Sequence, residues 1–146
     1  MKWLSFCCLV FLISITACNN NEPERGTITN SENDVDAVRN FIRSALDGKW
    51  KDARRFMLMD STNAQLLDAY EDNYRMHMEP EDKRGYREAS VILYDTRHVN
   101  DSVSIVQYAN SFKKQKDSVK AVRIDGRWLI DLKYSFPQTD TAQNVH

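Results

Sequence analysis

The sequence predicts an α+β fold, with N-terminal helices packed on a curved, four-stranded antiparallel sheet. Apolar residues recur at helical spacing in the first half of the chain, and alternating apolar segments separated by turn residues fill the second half. This order of elements favours helices gathered on one face of an antiparallel sheet. With 146 residues, 42% of them apolar, the chain is long enough for one domain.

Three helices are predicted before the sheet. The first follows a capping-box pattern, because Ser31 precedes Asp34 by three residues, and it ends at Gly48, which adopts the left-handed cap without strain. A short helix follows. The third begins at the cap-competent residues 60–62 and ends at Pro80. The apolar residues that define them are Val35, Val38, Ile42, Ala45 and Leu46, then Trp50, Ala53, Phe56 and Met57, then Leu67, Tyr70, Tyr74 and Met78.

Four strands are predicted at residues 88–99, 103–112, 119–124 and 128–134. The dipeptide Asp125-Gly126 predicts a hairpin between the last two, because it suits the two positive-φ positions of a type I′ turn. Strand side chains alternate between faces. The last strand therefore presents one face with Asp131 and an opposite, core-facing set comprising Trp128, Ile130, Leu132 and Tyr134.

The start of the chain has the three parts of a secretory signal. Lys2 supplies a positive charge, and the almost wholly apolar residues 3–15 are shorter than the roughly 20 that a membrane-spanning helix needs. Residues 15–18, Ile-Thr-Ala-Cys, resemble the lipobox of bacterial lipoproteins. The resemblance implies cleavage between Ala17 and Cys18 and lipid attachment to Cys18, which anchors the protein to a membrane.

The cysteine pattern agrees with this interpretation. Cys7 and Cys8 would leave with the leader, so Cys18 would be the sole cysteine of the mature chain. That excludes an internal disulfide and a cysteine-ligated zinc site in the mature protein. Because Asn19 follows the cysteine, resemblance to other lipoproteins favours the outer membrane, facing the periplasm. The inner membrane and the cell surface remain alternatives.

The chain is thus predicted to have four parts. Residues 1–17 form the signal peptide, residues 18–33 a flexible polar tether, residues 34–137 the folded domain, and residues 138–146 a disordered tail. With 20 basic and 21 acidic residues, the chain lacks the basic character of nucleic-acid-binding proteins. It also lacks a glycine-rich phosphate loop and a nucleophile elbow, so no cofactor is predicted.

Two segments carry a resemblance to a known family. They are FIRSALDGKWKDARRFM at residues 41–57 and KAVRIDGRWLIDL at residues 120–132. Together they resemble small lipoproteins of unknown function, common in Bacteroidetes-type bacteria, that carry a nuclear-transport-factor-2-like, cystatin-like roll. The resemblance covers residues 35–136 and implies a sheet that wraps the long helix around a conical cavity. That fold hosts both enzymes and binding proteins, and no catalytic residue aligns.

Five side chains are candidates for lining such a cavity. Tyr94 and His98 are predicted to share one strand face, where they could bind a polar ligand or transfer a proton. The alternative places His98 in solvent at the sheet rim. Tyr70, Tyr74 and Trp128 have the periodic spacing of core residues, and large aromatics suit a cavity wall equally well.

No metal site is predicted. His77 and Glu81 have the i,i+4 spacing of two ligands on one helix face. Pro80 lies between them and is expected to end the helix, so the pair is interpreted as a solvated helix end.

The leading hypothesis is a lipid-anchored cell-envelope protein of unknown activity, a non-enzymatic module that binds a small apolar ligand or an envelope protein. One alternative is a cavity enzyme of the isomerase or dehydratase type, using a Tyr/His/Asp set in the cone. Another is a structural or assembly factor of the envelope. An open cone with an ionisable side chain at its floor would favour the enzyme, and a cone filled by aromatics would favour interaction through the outer sheet face.

Overall fold

The computed structural model describes residue 31 and residues 33–135. The predicted signal, the lipidation site at Cys18 and the predicted tail lie outside these residues. Four α-helices precede a single sheet with strand order β1-β2-β3-β4, in which neighbouring strands are antiparallel, and the α+β prediction is confirmed. The elements are α1 (Asp34–Leu46), α2 (Trp50–Arg55), α3 (Ser61–Asp72), α4 (Pro80–Glu88), β1 (Val91–Asn100), β2 (Val103–Asn110), β3 (Asp117–Ile124) and β4 (Arg127–Asp131).

Helix α1 lies across the sheet and contacts all four strands. Its N-cap is Asn33, whose side chain accepts a hydrogen bond from the backbone N–H of Asp36, so the predicted Ser31–Asp34 capping box is wrong by two positions. The apolar residues that α1 buries follow a helical period and face the strands: Ala37, Val38, Phe41 and Ile42.

Gly48 ends the first helical segment, as predicted. Its φ of +71° is the left-handed conformation in which a Cβ would be strained. The next residue, Lys49, donates its backbone N–H to the Ser44 carbonyl at 2.9 Å, which closes the last turn. The ring of Tyr74 lies 3.0 Å from the position that a Cβ on residue 48 would occupy. Glycine here therefore permits both the turn and the approach of the aromatic ring.

The segment after α3 differs from prediction. Asp60 caps α3 as expected, but the α-helix ends at Asp72 and continues as a π turn over Asn73–His77. Pro80 was expected to end a helix, and instead it begins α4 at the N1 position. The reason is that proline lacks only an N–H that the first helical turn does not use. The first strand accordingly starts at Val91 rather than residue 88.

No residue of α4 is buried, and the helix is held at its C-terminal end. The guanidinium of Arg43 donates hydrogen bonds to the backbone carbonyls of Tyr86, Arg87 and Ala89. These carbonyls belong to the last turn of a helix, where the usual bonds from the residue four positions later are missing, so one α1 side chain caps α4.

The strand connections follow the sequence closely, with one exception at the end. Asp125 and Gly126 have φ values of 49° and 77°, which confirms the predicted type I′ hairpin. β4 was predicted to reach residue 134 but stops at Asp131, where a 3-10 turn over Leu132–Tyr134 begins. Tyr134 is therefore exposed rather than in the core.

The core lies between α1, α2, α3 and the inner face of the sheet. The backbone of Ile130 exchanges hydrogen bonds with Phe56 and Leu58, so the segment after α2 extends the sheet beyond β4. The most deeply buried apolar side chains include Met57, Leu67, Ile130, Val38, Val106 and Val119.

Within the described residues, no helix has both the length and the apolarity needed to cross a bilayer.

Candidate functional site

A cavity of about 310 Å³ opens between α1, α3, the π turn and the β2–β3 end of the sheet. This volume lies at the lower end of the range of small-molecule sites. Its mouth carries three exposed residues, Tyr70, Asn73 and Asp117. Its floor is apolar and is formed by buried side chains: Phe41, Ile42, Trp50, Leu67, Val119 and Leu132.

Aromatic rings make up much of the cavity wall. Trp50 and Tyr74 meet edge to face, with ring centroids 5.5 Å apart and an interplanar angle of 69°. This is a favourable arrangement of two ring quadrupoles. Tyr70, Tyr86 and Tyr108 also line the space. The aromatics leave the cone open instead of filling it.

The polar groups gather at the mouth rather than at the floor. The Tyr108 hydroxyl donates a hydrogen bond of 3.4 Å to Oδ2 of Asp117, and Oδ1 of Asp117 accepts the backbone N–H of Ser118 at 2.7 Å. The cross-strand pairing of Tyr108 with Asp117 brings the two side chains together. A carboxylate and a phenol therefore sit side by side at the entrance.

The two tyrosines at this end of the cavity stay protonated at neutral pH. The buried part of the Tyr70 side chain lies out of water, and this partial burial, reinforced by the negative charge of Asp117, raises the pKa of Tyr70 to about 12. The pKa of Tyr108 is also raised, by burial first and then by Asp117 and Tyr70. A neutral phenol both donates and accepts hydrogen bonds, but it is a poor general base. This arrangement is suited to holding a polar group of a ligand.

The π turn places two residues at the cavity. Asn73 lies at the mouth and Tyr74 in the wall, both within the π turn. Such a turn re-aims the side chains of a helix and is frequent at functional sites. The π turn could not be predicted, because a continuous helix through Met78 accounts equally well for the apolar spacing.

The structure brings together only two of the five predicted cavity residues. Tyr70 and Tyr74 line the cavity, whereas Tyr94, His98 and Trp128 lie outside it. Trp128 is half-buried against the core and pairs with Arg123 across the hairpin.

Tyr94 and His98 do not share a strand face. A β-bulge between Leu93 and Asp95 inserts an extra residue in β1 and shifts the alternation of side chains. The exposed ring of Tyr94 lies 4.3 Å from the ammonium of Lys116. The expectation of a Tyr94/His98 pair in the cone is therefore wrong.

His98 has polar contacts of its own at the opposite end of the sheet. Its Nδ1 lies 3.0 Å from Oγ of Ser104 and 3.3 Å from Oδ2 of Asp34. In a Ser-His-Asp triad the serine and the acid contact different ring nitrogens. Here both contact the same nitrogen, so the ring cannot relay a proton between them. The group is best described as a structural contact between the start of α1 and the sheet.

His77 and Glu81 belong to different elements, the π turn and α4. Among residues 31 and 33–135, no group of three or more His, Cys, Asp or Glu side chains is placed to hold a metal ion. The described lining of the cavity also contains no histidine, which the Tyr/His/Asp alternative required.

Two important residues of the mouth were missed from sequence. Tyr108 and Asp117 were assigned to a strand and a polar break, with no functional role. The alternation of side chains along β2 could have identified Tyr108. It lies two residues after the buried Val106, so both side chains point to the inner face of the sheet. Asp117 becomes relevant only once the strand register is known.

No protein-family model matches the chain, and no curated protein matches it either. Among solved structures, the chain is similar to an NTF-2-like protein of unknown function from Shewanella oneidensis, with 15% sequence identity and a TM-score of 0.45. The match covers 66% of this chain and 89% of that one.

Proposed function

We propose that this protein is a non-enzymatic module that binds a small amphiphilic molecule in the Tyr70–Asp117 cavity and is anchored to a bacterial membrane by lipid on Cys18. The observation that carries the binding proposal is the division of the cavity into an apolar floor and a polar mouth. Few polar groups placed beside a mainly apolar wall are typical of sites that orient one end of a ligand.

The binding proposal is favoured over a cavity enzyme by the position of the ionisable groups. The tyrosines of the mouth are held in the neutral form, and the floor of the cavity is formed by apolar side chains. The ionisable groups thus lie where they contact the solvated end of a ligand. We expect the apolar end of the ligand to pack on Trp50 and Leu67.

The anchoring proposal rests on the sequence of residues 1–18, with its short apolar stretch followed directly by Cys18. A lipid anchor would keep the binding module close to a membrane, where amphiphilic molecules concentrate. Stable anchoring takes two acyl chains or one chain with a second signal, because a single chain holds only marginally.

Ala45→Phe should abolish binding in the cavity. Ala45 lines the cavity from α1 and is half-buried, so a phenyl ring there would occupy ligand space. With benzyl alcohol as the probe, we expect NMR titration to shift the amide signals of cavity residues in the wild type. The variant should bind at least about tenfold more weakly, a loss of about 1.4 kcal/mol.

The matched control is Ala69→Phe, which changes an exposed position on α3 outside the cavity lining. It should bind benzyl alcohol as the wild type does. Equal binding by Ala45→Phe, with an unchanged circular dichroism spectrum, would contradict the cavity as the binding site.

Cys18→Ala should abolish incorporation of radiolabelled palmitate in a bacterial host that processes lipoproteins. The reason is that the substitution removes the predicted acceptor sulfur. Cys8→Ala, within the predicted leader, is the control and should leave labelling intact. Continued labelling of Cys18→Ala would refute the anchor without bearing on the cavity.

A further inference from the structure

We propose that the cavity selects a small organic cation, whose ammonium group contacts Asp117 and the rings of Tyr70 and Tyr108 while its apolar part enters the cavity. This inference rests on the proposed binding function and specifies the class of ligand. It follows from the charges at the cavity, from the partners of the nearby basic residues, and from the aromatic character of the wall.

The charge of the described cavity lining is negative. Asp117 is the one charged residue among the described residues that line it, and no Lys, Arg or His contributes. Both oxygens of Asp117 accept hydrogen bonds from neutral donors, Tyr108 and the Ser118 N–H. Within residues 31 and 33–135, no basic side chain forms an ion pair with this carboxylate. Its charge is therefore available to a ligand.

Two of the three lysines of the β2–β3 loop contact groups outside the cavity. The ammonium of Lys116, next to Asp117 in the chain, lies over the ring of Tyr94. The ammonium of Lys113 lies 3.3 Å from a carboxylate oxygen of Asp82 in α4. Neither residue lines the cavity, and neither forms an ion pair with Asp117.

Two further cations approach the wall at Tyr74. Lys83 lies 5.5 Å from the centroid of the Tyr74 ring and donates to the Arg75 carbonyl, and Arg87 lies 3.4 Å from the Tyr74 hydroxyl. Neither is part of the cavity lining. They lie at the Tyr74 side of the wall, and neither contacts Asp117. At the Tyr70–Tyr108–Asp117 side burial, and after it the charge of Asp117, raises the pKa of both tyrosines.

Aromatic rings reinforce this preference. Tyrosine and tryptophan faces attract cations through the ring quadrupole, and surrounding an ammonium with such rings is a known mode of recognition. A carboxylate ligand would instead meet Asp117 at the entrance and pay for like-charge repulsion. A neutral ligand would gain the apolar contacts without the electrostatic attraction.

Three probes with the same aromatic body test the inference at pH 7: benzylamine, which is a cation, benzyl alcohol, which is neutral, and benzoate, an anion. Full-length protein in detergent is titrated with each probe by NMR. We expect benzylamine to bind about fivefold more tightly than benzyl alcohol, and benzoate to bind most weakly. Raising the salt concentration to 1 M should reduce the difference in affinity between benzylamine and benzyl alcohol, because salt screens charges at an exposed mouth.

Asp117→Asn supplies the matched variant, since it removes the charge and keeps the shape. It should narrow the preference for benzylamine over benzyl alcohol to less than about twofold. Asp125→Asn, at the exposed β3–β4 hairpin, is the control and should retain the wild-type preference.

The outcomes separate the two proposals. Equal or tighter binding of benzyl alcohol in the wild type, or an unchanged preference in Asp117→Asn, would overturn cation selectivity and leave the binding function standing. Absence of binding by all three probes would contradict the proposed function itself. A preference that is insensitive to salt in the wild type would also count against the electrostatic origin, even if Asp117→Asn failed to fold.

Discussion

Ile130→Ala is expected to lower the free energy of unfolding by about 2–5 kcal/mol, the range for truncating a large aliphatic side chain in a core. Ile130 is fully buried in β4, and its backbone is hydrogen-bonded to the segment that follows α2. The loss combines the transfer free energy of the removed methyl groups with the cost of the cavity left behind. Urea denaturation followed by circular dichroism measures the change.

Ile124→Ala is the matched control, because Ile124 lies in the same sheet but is 42% exposed. We expect its effect to be within about 1 kcal/mol, since little buried surface is lost. Similar losses for both variants would mean that Ile130 is not at the centre of the core as the structure places it.

Asn63→Ala is expected to destabilise the protein by about 2–3 kcal/mol through a different mechanism, the loss of buried hydrogen bonds. The side chain of Asn63 is fully buried. Its oxygen accepts the Leu132 N–H at 2.8 Å, and its nitrogen donates to Asp60 at 2.8 Å and to Asp131 at 3.3 Å. The substitution would leave a buried backbone N–H and carboxylate oxygens without these partners.

Asp60, one of the hydrogen-bond partners of Asn63, also forms an ion pair with Lys133. The Lys133 ammonium, which donates to Asp60 at 2.6 Å, and then the backbone N–H of Asn63 lower the pKa of Asp60 to about 2. The stabilising contribution of the ionised Asp60 is thus present above its usual pKa and is lost as the pH falls towards 2. We therefore expect the loss from Asn63→Ala to be measured best near pH 7.

Asn40→Ala provides the comparison for Asn63. Asn40 is half-buried on α1, with a long contact of 3.5 Å to Ser31. Its replacement should change the unfolding free energy by no more than about 0.5 kcal/mol. A wild-type midpoint of urea denaturation for Asn63→Ala would show that this network contributes nothing to stability.

Local chemistry explains where the sequence predicted the fold correctly. Asp60 and the Asp125-Gly126 pair act through their own backbone geometry, so their roles are visible without knowledge of the rest of the molecule. Pro80 shows the limit of such signals, since proline both follows a helix and begins one. The sequence around it was compatible with either outcome.

The candidate site was less predictable than the fold, because it depends on which residues of neighbouring strands lie opposite each other. The bulge in β1 involves Leu93, Tyr94 and Asp95, none of them a glycine, so the sequence carried no signal for the reversal of faces. For Tyr70 and Tyr74, helical periodicity identified the inner side of α3 and the π turn but could not distinguish a packed core from a cavity wall. Both environments remove the same aromatic surface from water.

The attachment of α4 has a consequence for how molecules reach the cavity. Tyr86 contributes to the wall from a helix that buries none of its own residues and is capped by Arg43 from outside. Lifting such a helix breaks few apolar contacts, so its local unfolding costs less than separating the strands. Exchange of a bound molecule can therefore proceed through transient fraying on this flank, while the β-sheet and the long helix that spans it keep their arrangement.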